Sequence, residues 1–296
     1  VVKEDKNIDF VLYGDTDSLF INAGGFFDKH IPEWRKLSDD MKIHYVRKLA
    51  LIIEDYVNDH AYREIQRKNY NSVVEDFRIK FKQEIIAKTA LFVKKKKYAY
   101  WSINEEGVPV DKVEVTGLEI VRSDTPEIIR PMLKDVMNMI LRGEQEDVVV
   151  NKITDYKRQL KKSHPEEIAL NIGASDIDKY VHSGEVIKGT PYHLKGINNY
   201  RNLLKQLKLT KKYEDIYSGS KVKVVYIKKN SLGIDVMSFL RWPKEFEKVI
   251  SIDYNEMIDK FFIGKIKILL EPMGKTELLY GSSDAALSSF FDVGGK

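Results

Sequence analysis

The densest chemistry in this sequence lies in Tyr13-Gly14-Asp15-Thr16-Asp17-Ser18, where two carboxylates flank a single threonine. If the stretch is extended, both carboxylates project to one side, separated by roughly 7 Å and less in a tight turn, which is the scale of a divalent-cation site. Carboxylates crowded between apolar strands repel one another, and a hard cation with oxygen ligands, magnesium above all, resolves the conflict. Gly14 lets the backbone turn, or lets another strand or a nucleic acid approach closely. The same residues also suit an ordinary acidic hairpin turn, since Asp and Gly are common turn formers. Apolar strands on both sides and a lysine-rich segment further along favour the metal-and-phosphate reading.

That segment runs from Arg78 to Lys97 and holds eight basic residues against one acid, Glu84. Its lysines Lys94 to Lys97 are interleaved with Phe92, Val93, Tyr98, Tyr100 and Trp101. Such interleaving is expected of a strand that packs one face inward and offers ammonium groups on the other, neutralising phosphates without reading bases. The net charge of +4 adds little by itself. With no cysteine there is no disulfide, iron-sulfur cluster or thiolate zinc site, so carboxylates and histidines remain as metal ligands. The histidines show no zinc-ligand spacing, and Gly274-Lys275-Thr276 is no phosphate loop because Leu269 stands where that pattern needs glycine.

The elements that must position these residues follow from the hydrophobic period. Ile8 to Tyr13 and Ser18 to Asn22 read as strands joined by a turn at Gly14 to Asp17. Met41, Tyr45, Leu49, Ile52, Ile53, Tyr56 and Val57 fall three or four apart, which predicts an amphipathic helix over 39–68 packed on a sheet. Strands are expected over Val74 to Thr89, Leu91 to Trp101 and Val113 to Val121, with Gly107 and Pro109 in the last turn. Near Ser123 the texture changes: Thr125, Pro126 and Glu127 open a helix that Gly143 ends, and a charged helix follows over Asp147 to Lys162. Ser183 to Gly196 reads as a loop, Gly196 to Leu207 as helix, Val222 to Lys228 as extended and Ile252 to Leu270 as helix. No window approaches about eighteen uncharged apolar residues and no signal peptide is visible, so the chain is expected to be soluble and intracellular.

The six residues Tyr13 to Ser18, YGDTDS, are identical to the third conserved palm motif of family B DNA polymerases, and the chain most resembles the replicative enzymes of T-even-like bacteriophages. The resemblance implies an α+β fold: an antiparallel palm sheet with packed helices, over 1–122, then a mostly helical thumb over 123–280. It implies that Asp17 and Asp15 are catalytic, ligating two magnesium ions, with Glu84 of Phe81-Lys82-Gln83-Glu84 near the same metals. Lys95-Lys96-Lys97-Tyr98 matches the KKxY motif, so Lys95, Lys96 and Tyr98 are expected to contact the DNA backbone. Gly117-Leu118-Glu119 with Arg122 resembles the palm-to-thumb junction, which assigns Arg122 to DNA. Pro191-Tyr192-His193-Leu194-Lys195-Gly196 resembles the thumb loop that grips primer-template, which assigns His193 and Lys195 to phosphates.

The family's first palm motif with its metal-binding Asp, its fingers helix and its exonuclease domain have no counterpart in these residues, and in the family all precede YGDTDS. The expectation is therefore a C-terminal polymerase part whose deoxynucleotide-binding fingers and remaining metal carboxylate lie in a separate N-terminal partner or a missing region. Residues 281–296 are expected to form a flexible tail, in which Leu287, Phe290 and Phe291 resemble the sliding-clamp peptide, with Asp284 at the usual glutamine position. The implied partners are primer-template DNA, a deoxynucleoside triphosphate, the N-terminal part and a clamp, with no membrane; the implied setting is the cytoplasm of a phage-infected bacterium. The competing reading is a catalytically inactive DNA-binding fragment.

Overall fold

The computed structural model describes residues 10–70, 79–118, 125–182 and 185–279. They form an α+β fold of antiparallel sheets packed with helices, as the sequence predicts. The chain divides into two compact units: Val1–Phe92 with Tyr100–Glu114, and Val93–Ala99 with Val115–Lys296.

In the first unit, β1 (Val11–Asp15) and β2 (Ser18–Ile21) form a hairpin in the register Asp15↔Ser18, Gly14↔Leu19 and Tyr13↔Phe20. Tyr13 and Phe20 lie 6.1 Å apart and meet Phe92 at 5.8 and 5.3 Å, so an aromatic cluster anchors the hairpin. Helix α1 (Ala23–His30) is capped by the Asn22 side chain, which accepts the Gly25 amide. Helix α2 (Asp39–Tyr56) starts at Ser38, whose hydroxyl accepts the Met41 amide, with Asp39 and Asp40 against the positive end of the helix. It continues through a π-helical turn, Val57–Ala61, into α3 (Tyr62–Tyr70).

The predicted 39–68 helix is present, with much of its apolar surface exposed. No residue of α2 is buried, and Met41, Leu51, Ile52 and Tyr56 are exposed. Tyr45 meets Phe27 and Trp34 at 6.1 and 6.4 Å, while Asp39 at the start of the helix pairs with Lys88 of the segment that follows.

Strands β3 (Ile85–Lys94), β4 (Lys97–Glu105) and β5 (Val108–Thr116) follow in the order β3-β4-β5. The expected break at Ala90 is absent: β3 continues to Lys94 and the chain reverses at Lys95-Lys96, with Lys96 left-handed at φ 60°. Pro109 lies inside β5 rather than in a turn, which an edge strand tolerates because it need not supply an amide to a neighbour.

In the second unit Pro126 opens a turn, with the Ile129 amide on its carbonyl at 3.0 Å, and α4 (Ile129–Arg142) starts later than the capping residues suggest. Gly143 ends α4 at φ 73°, and α5 (Glu146–Leu160) follows. Short elements α6 (Pro165–Ile168), β6 (Leu170–Gly173), α7 (Ile177–Tyr180), β7 (Val181–His182) and β8 (Glu185–Val186) lead to α8 (Tyr192–Gln206). The sequence reads Pro191 to Gly196 as loop, yet the Leu194 and Lys195 amides both donate to the Pro191 carbonyl at 3.0 Å, so these residues are the first turns of α8. Strands β9 (Lys221–Tyr226) and β10 (Val236–Phe239) join β6 in an antiparallel sheet of order β10-β9-β6. Gly196 lets α8 lie on this sheet, since a Cβ there would stand 2.4 Å from Ser238 Oγ and 2.8 Å from its amide nitrogen. Helix α9 (Tyr254–Ile258), a π-helical stretch Asp259–Ile263 and α10 (Gly264–Leu270) close the unit over Leu133, Val136, Ile153 and Phe262.

Candidate active site and nucleic-acid interface

The hairpin turn is tighter than an extended run would be. Thr16 and Asp17 alone connect β1 to β2, and Thr16 is forced to φ 32°, a conformation costly for a β-branched residue. Asp15 closes β1 while Asp17 belongs to the turn, so the two are not successive same-face strand residues as the extended reading requires. They nevertheless meet at one place: Gly14 to Leu19, together with Tyr62 and Phe81, line an open cleft of about 400 Å³. The Asp15 carboxylate is partly buried and accepts from the Tyr13 and Thr16 hydroxyls, each at 3.3 Å, while Asp17 is exposed.

The far wall of the cleft is fixed from the helix. Asn58 donates from Nδ2 to the Phe81 carbonyl at 2.8 Å and accepts the Phe81 amide on Oδ1 at 2.7 Å. One turn earlier, the Glu54 carboxylate accepts the Gln83 amide. Glu54, Asn58 and Tyr62 therefore share a face along which the first two clamp the strand segment and the third reaches the cleft. The π-helical turn falls in the middle of this face, where such bulges often serve a site.

Glu84 is exposed at the entrance to β3, its carbonyl accepting the Glu106 amide at 2.7 Å, and it does not line the cleft. Among the described residues no group of three or more His, Asp or Glu side chains is placed to hold a metal. Two hard oxygen donors at a concave surface do suit magnesium, as a partial ligand set.

The lysine run separates into two kinds. Lys82 pairs with Glu106 at 2.7 Å, which raises the lysine pKa through the hydrogen bond first, and Lys88 pairs with Asp39 at 2.6 Å while lying 5.0 Å over the Trp101 ring. Lys94, Lys95 and Lys96 are exposed at the β3-β4 turn, and Tyr98 in β4 is half-buried. The turn is held by Gly117, at φ 63°: a Cβ there would sit 1.9 Å from the Lys96 carbonyl oxygen. In the second unit His193 is half-buried on the first turn of α8, and burial pushes its pKa below the ordinary histidine value. Lys195 is already ion-paired with Asp235 at 2.6 Å.

These arrangements have counterparts among known proteins. The family model for DNA polymerase family B matches residues 2–272. The chain belongs to DNA polymerase family B. It is 25% identical over 272 residues to the DNA-directed DNA polymerase of Escherichia phage RB69, covering 86% of this chain and 29% of that protein. It is 24% identical to the DNA-directed DNA polymerase of Enterobacteria phage T4, covering 90% of this chain and 30% of the relative. To the DNA polymerase of Archaeoglobus fulgidus it is 23% identical, covering 95% and 31% respectively. The chain thus spans less than a third of the length of these relatives.

In the first unit of this family B chain Asp15 and Asp17 line one cleft; in the second, Lys95 and Lys96 are exposed at a hairpin end and Tyr98 is half-buried. Arg122 and the tail residues Leu287, Phe290 and Phe291 lie outside the described residues. Tyr62, Phe81, Glu54 and Asn58 escaped the sequence reading; the four-residue spacing of Glu54, Asn58 and Tyr62 is the signal that marks their common helix face. No helix among the described residues is long and apolar enough to cross a membrane.

Proposed function

We propose that this chain is the C-terminal palm and thumb part of a DNA-directed DNA polymerase, with Asp15 and Asp17 as its contribution to the nucleotidyl-transfer site. The observation that carries the reading is the strained Thr16-Asp17 turn, which brings both carboxylates of a family B chain to one open cleft. Magnesium bound there would neutralise the triphosphate and activate the primer 3′ hydroxyl. Asp17, exposed at the tip, would ligate the magnesium directly, while the Tyr13 and Thr16 hydroxyls hold the Asp15 carboxylate beside it. Glu84 stands apart from the cleft and serves as an outlying acid of the same site. The remaining carboxylate and the fingers that bind the deoxynucleoside triphosphate come from an N-terminal part, in the same or another polypeptide.

Lys95, Lys96, Tyr98 and Arg122 bind the primer-template backbone, and the first turn of α8 adds His193 and Lys195. Lys195 reaches a phosphate by exchanging Asp235 for it, at small cost because Asp235 is exposed. Leu287, Phe290 and Phe291 dock on a sliding clamp, and the setting is the cytoplasm of a phage-infected bacterium. Primer-template binding and primer extension test the division of labour. The chain alone binds primed duplex without extending it, and extension appears when the N-terminal part and magnesium are added. Robust extension by the chain alone would contradict the proposed sharing of the site.

A further inference from the structure

We propose that the second unit carries a separate site for one phosphorylated nucleoside, in the cleft between the first turn of α8 and the helical run Asp259–Leu270. This cleft encloses about 370 Å³, is lined by Tyr192, Lys260, Phe261 and Lys265 among others, and falls in the size range of small-ligand pockets. Beside the apolar Leu170 and Ile268, its lining offers flat rings that suit a base and the Lys260 ammonium that suits a phosphate.

The rings are ordered. Tyr192 lies 6.1 Å from Tyr226 with planes 19° apart, and Tyr226 lies 6.4 Å from Phe261 with planes 21° apart, so three aromatic side chains share nearly one orientation. Tyr192, which also meets the His193 ring edge-on at 5.7 Å, is 40% exposed, and a base would stack on that exposed part. Lys260 stands 4.4 Å over the Tyr226 ring, donates to its hydroxyl at 3.0 Å and lies 3.6 Å from Glu256. That network fixes the ammonium at the cleft, and the Glu256 pair is open to water and readily exchanged. Lys265, on the same wall, is only 8% exposed. Tyr192 and Lys260 belong to elements far apart in sequence, and none of these residues lines the carboxylate cleft.

A free nucleotide and an unpaired nucleotide of a DNA strand share this chemistry. Calorimetric titration of the full chain separates them, using deoxyadenosine 5′-monophosphate, deoxyadenosine, inorganic phosphate and a short single-stranded oligodeoxyadenylate. The monophosphate binds once per chain, with the nucleoside and phosphate each about tenfold weaker or more, because base stacking and the charged contact act together. Lys260→Gln and Tyr192→Leu each weaken the monophosphate by about tenfold, Lys260→Arg restores it, and Asp17→Asn leaves it unchanged, which separates this site from the polymerase reading. If Tyr192→Leu fails to fold, the exposed Lys260 variants decide. An oligonucleotide that binds more tightly in a Lys260-dependent way identifies a strand as the source; one that does not compete identifies the free nucleotide. Absence of binding at millimolar monophosphate, inorganic phosphate binding as well as the monophosphate, or a wild-type response from Lys260→Gln would overturn the proposal.

Discussion

Gly117→Ala tests whether the β3-β4 turn is a DNA contact held in place by a backbone approach. The added Cβ would lie 1.9 Å from the Lys96 carbonyl oxygen and 3.0 Å from the Lys96 carbonyl carbon. Relief needs a displacement of about 1 Å or more to reach the 3.3 Å at which even favourable carbon–oxygen contacts begin. Alanine at φ 63° also costs about 1–2 kcal/mol in its own backbone, and the overlap adds about 1–3 kcal/mol of packing strain. The turn responds by moving away, carrying Lys95 and Lys96 with it. If each gives up one phosphate, the slope of log affinity against log salt becomes shallower by about 0.9 per contact, so by nearly 2 for the pair. The assay is duplex affinity across a salt series for wild type, Gly117→Ala, the Lys95→Ala/Lys96→Ala double variant and the triple variant. The triple variant should lose little beyond the double, because both changes remove the same contacts. Fully additive losses, or a stable Gly117→Ala chain with an unaltered slope, would refute the coupling.

Asn58→Ala removes both hydrogen bonds to the partly buried Phe81 backbone and should cost about 1–3 kcal/mol, read as a shift in denaturant midpoint, and Asn58→Asp should also destabilise, because it sets a carboxylate oxygen against the Phe81 carbonyl. Burial lowers the His193 pKa in the folded chain, so the neutral ring contributes stability at and above neutral pH that is lost as pH falls through the folded value. A phosphate favours the cation, so DNA affinity should tighten as pH falls below neutral, and His193→Gln should flatten that profile. Deleting residues 284–296 should leave single-nucleotide addition near wild type in the complex while shortening clamp-dependent products; intact clamp-dependent processivity would remove the tail from the interface.

The legible parts of the molecule were those whose causes are local. The Asp15 to Asp17 hairpin stands between two apolar strands, and Gly143 ends its helix where glycine is needed for a left-handed residue. What escaped depends on distant partners or on ambiguous local signals. Lys95-Lys96 has no turn-forming residue type, and its reversal depends on Gly117, more than twenty residues away, leaving room for the Lys96 carbonyl. Proline at 191 reads as a loop breaker, but it serves as the N-cap of α8, where its lack of an amide costs nothing. The Asn58–Phe81 clamp is a side-chain-to-backbone pairing, and no periodicity records the strand segment that a helix face will meet.

The most direct test of the polymerase reading separates chemistry from grip in the complex of this chain with its N-terminal part. Single-turnover incorporation and primer-template affinity are measured for wild type and Asp17→Asn. The carboxylate is assigned to interactions made in the transition state, so the rate should fall by about a thousandfold or more while affinity changes by less than about threefold. A normal incorporation rate, or equal losses in rate and affinity, would show that the Thr16-Asp17 turn is not where the transfer occurs.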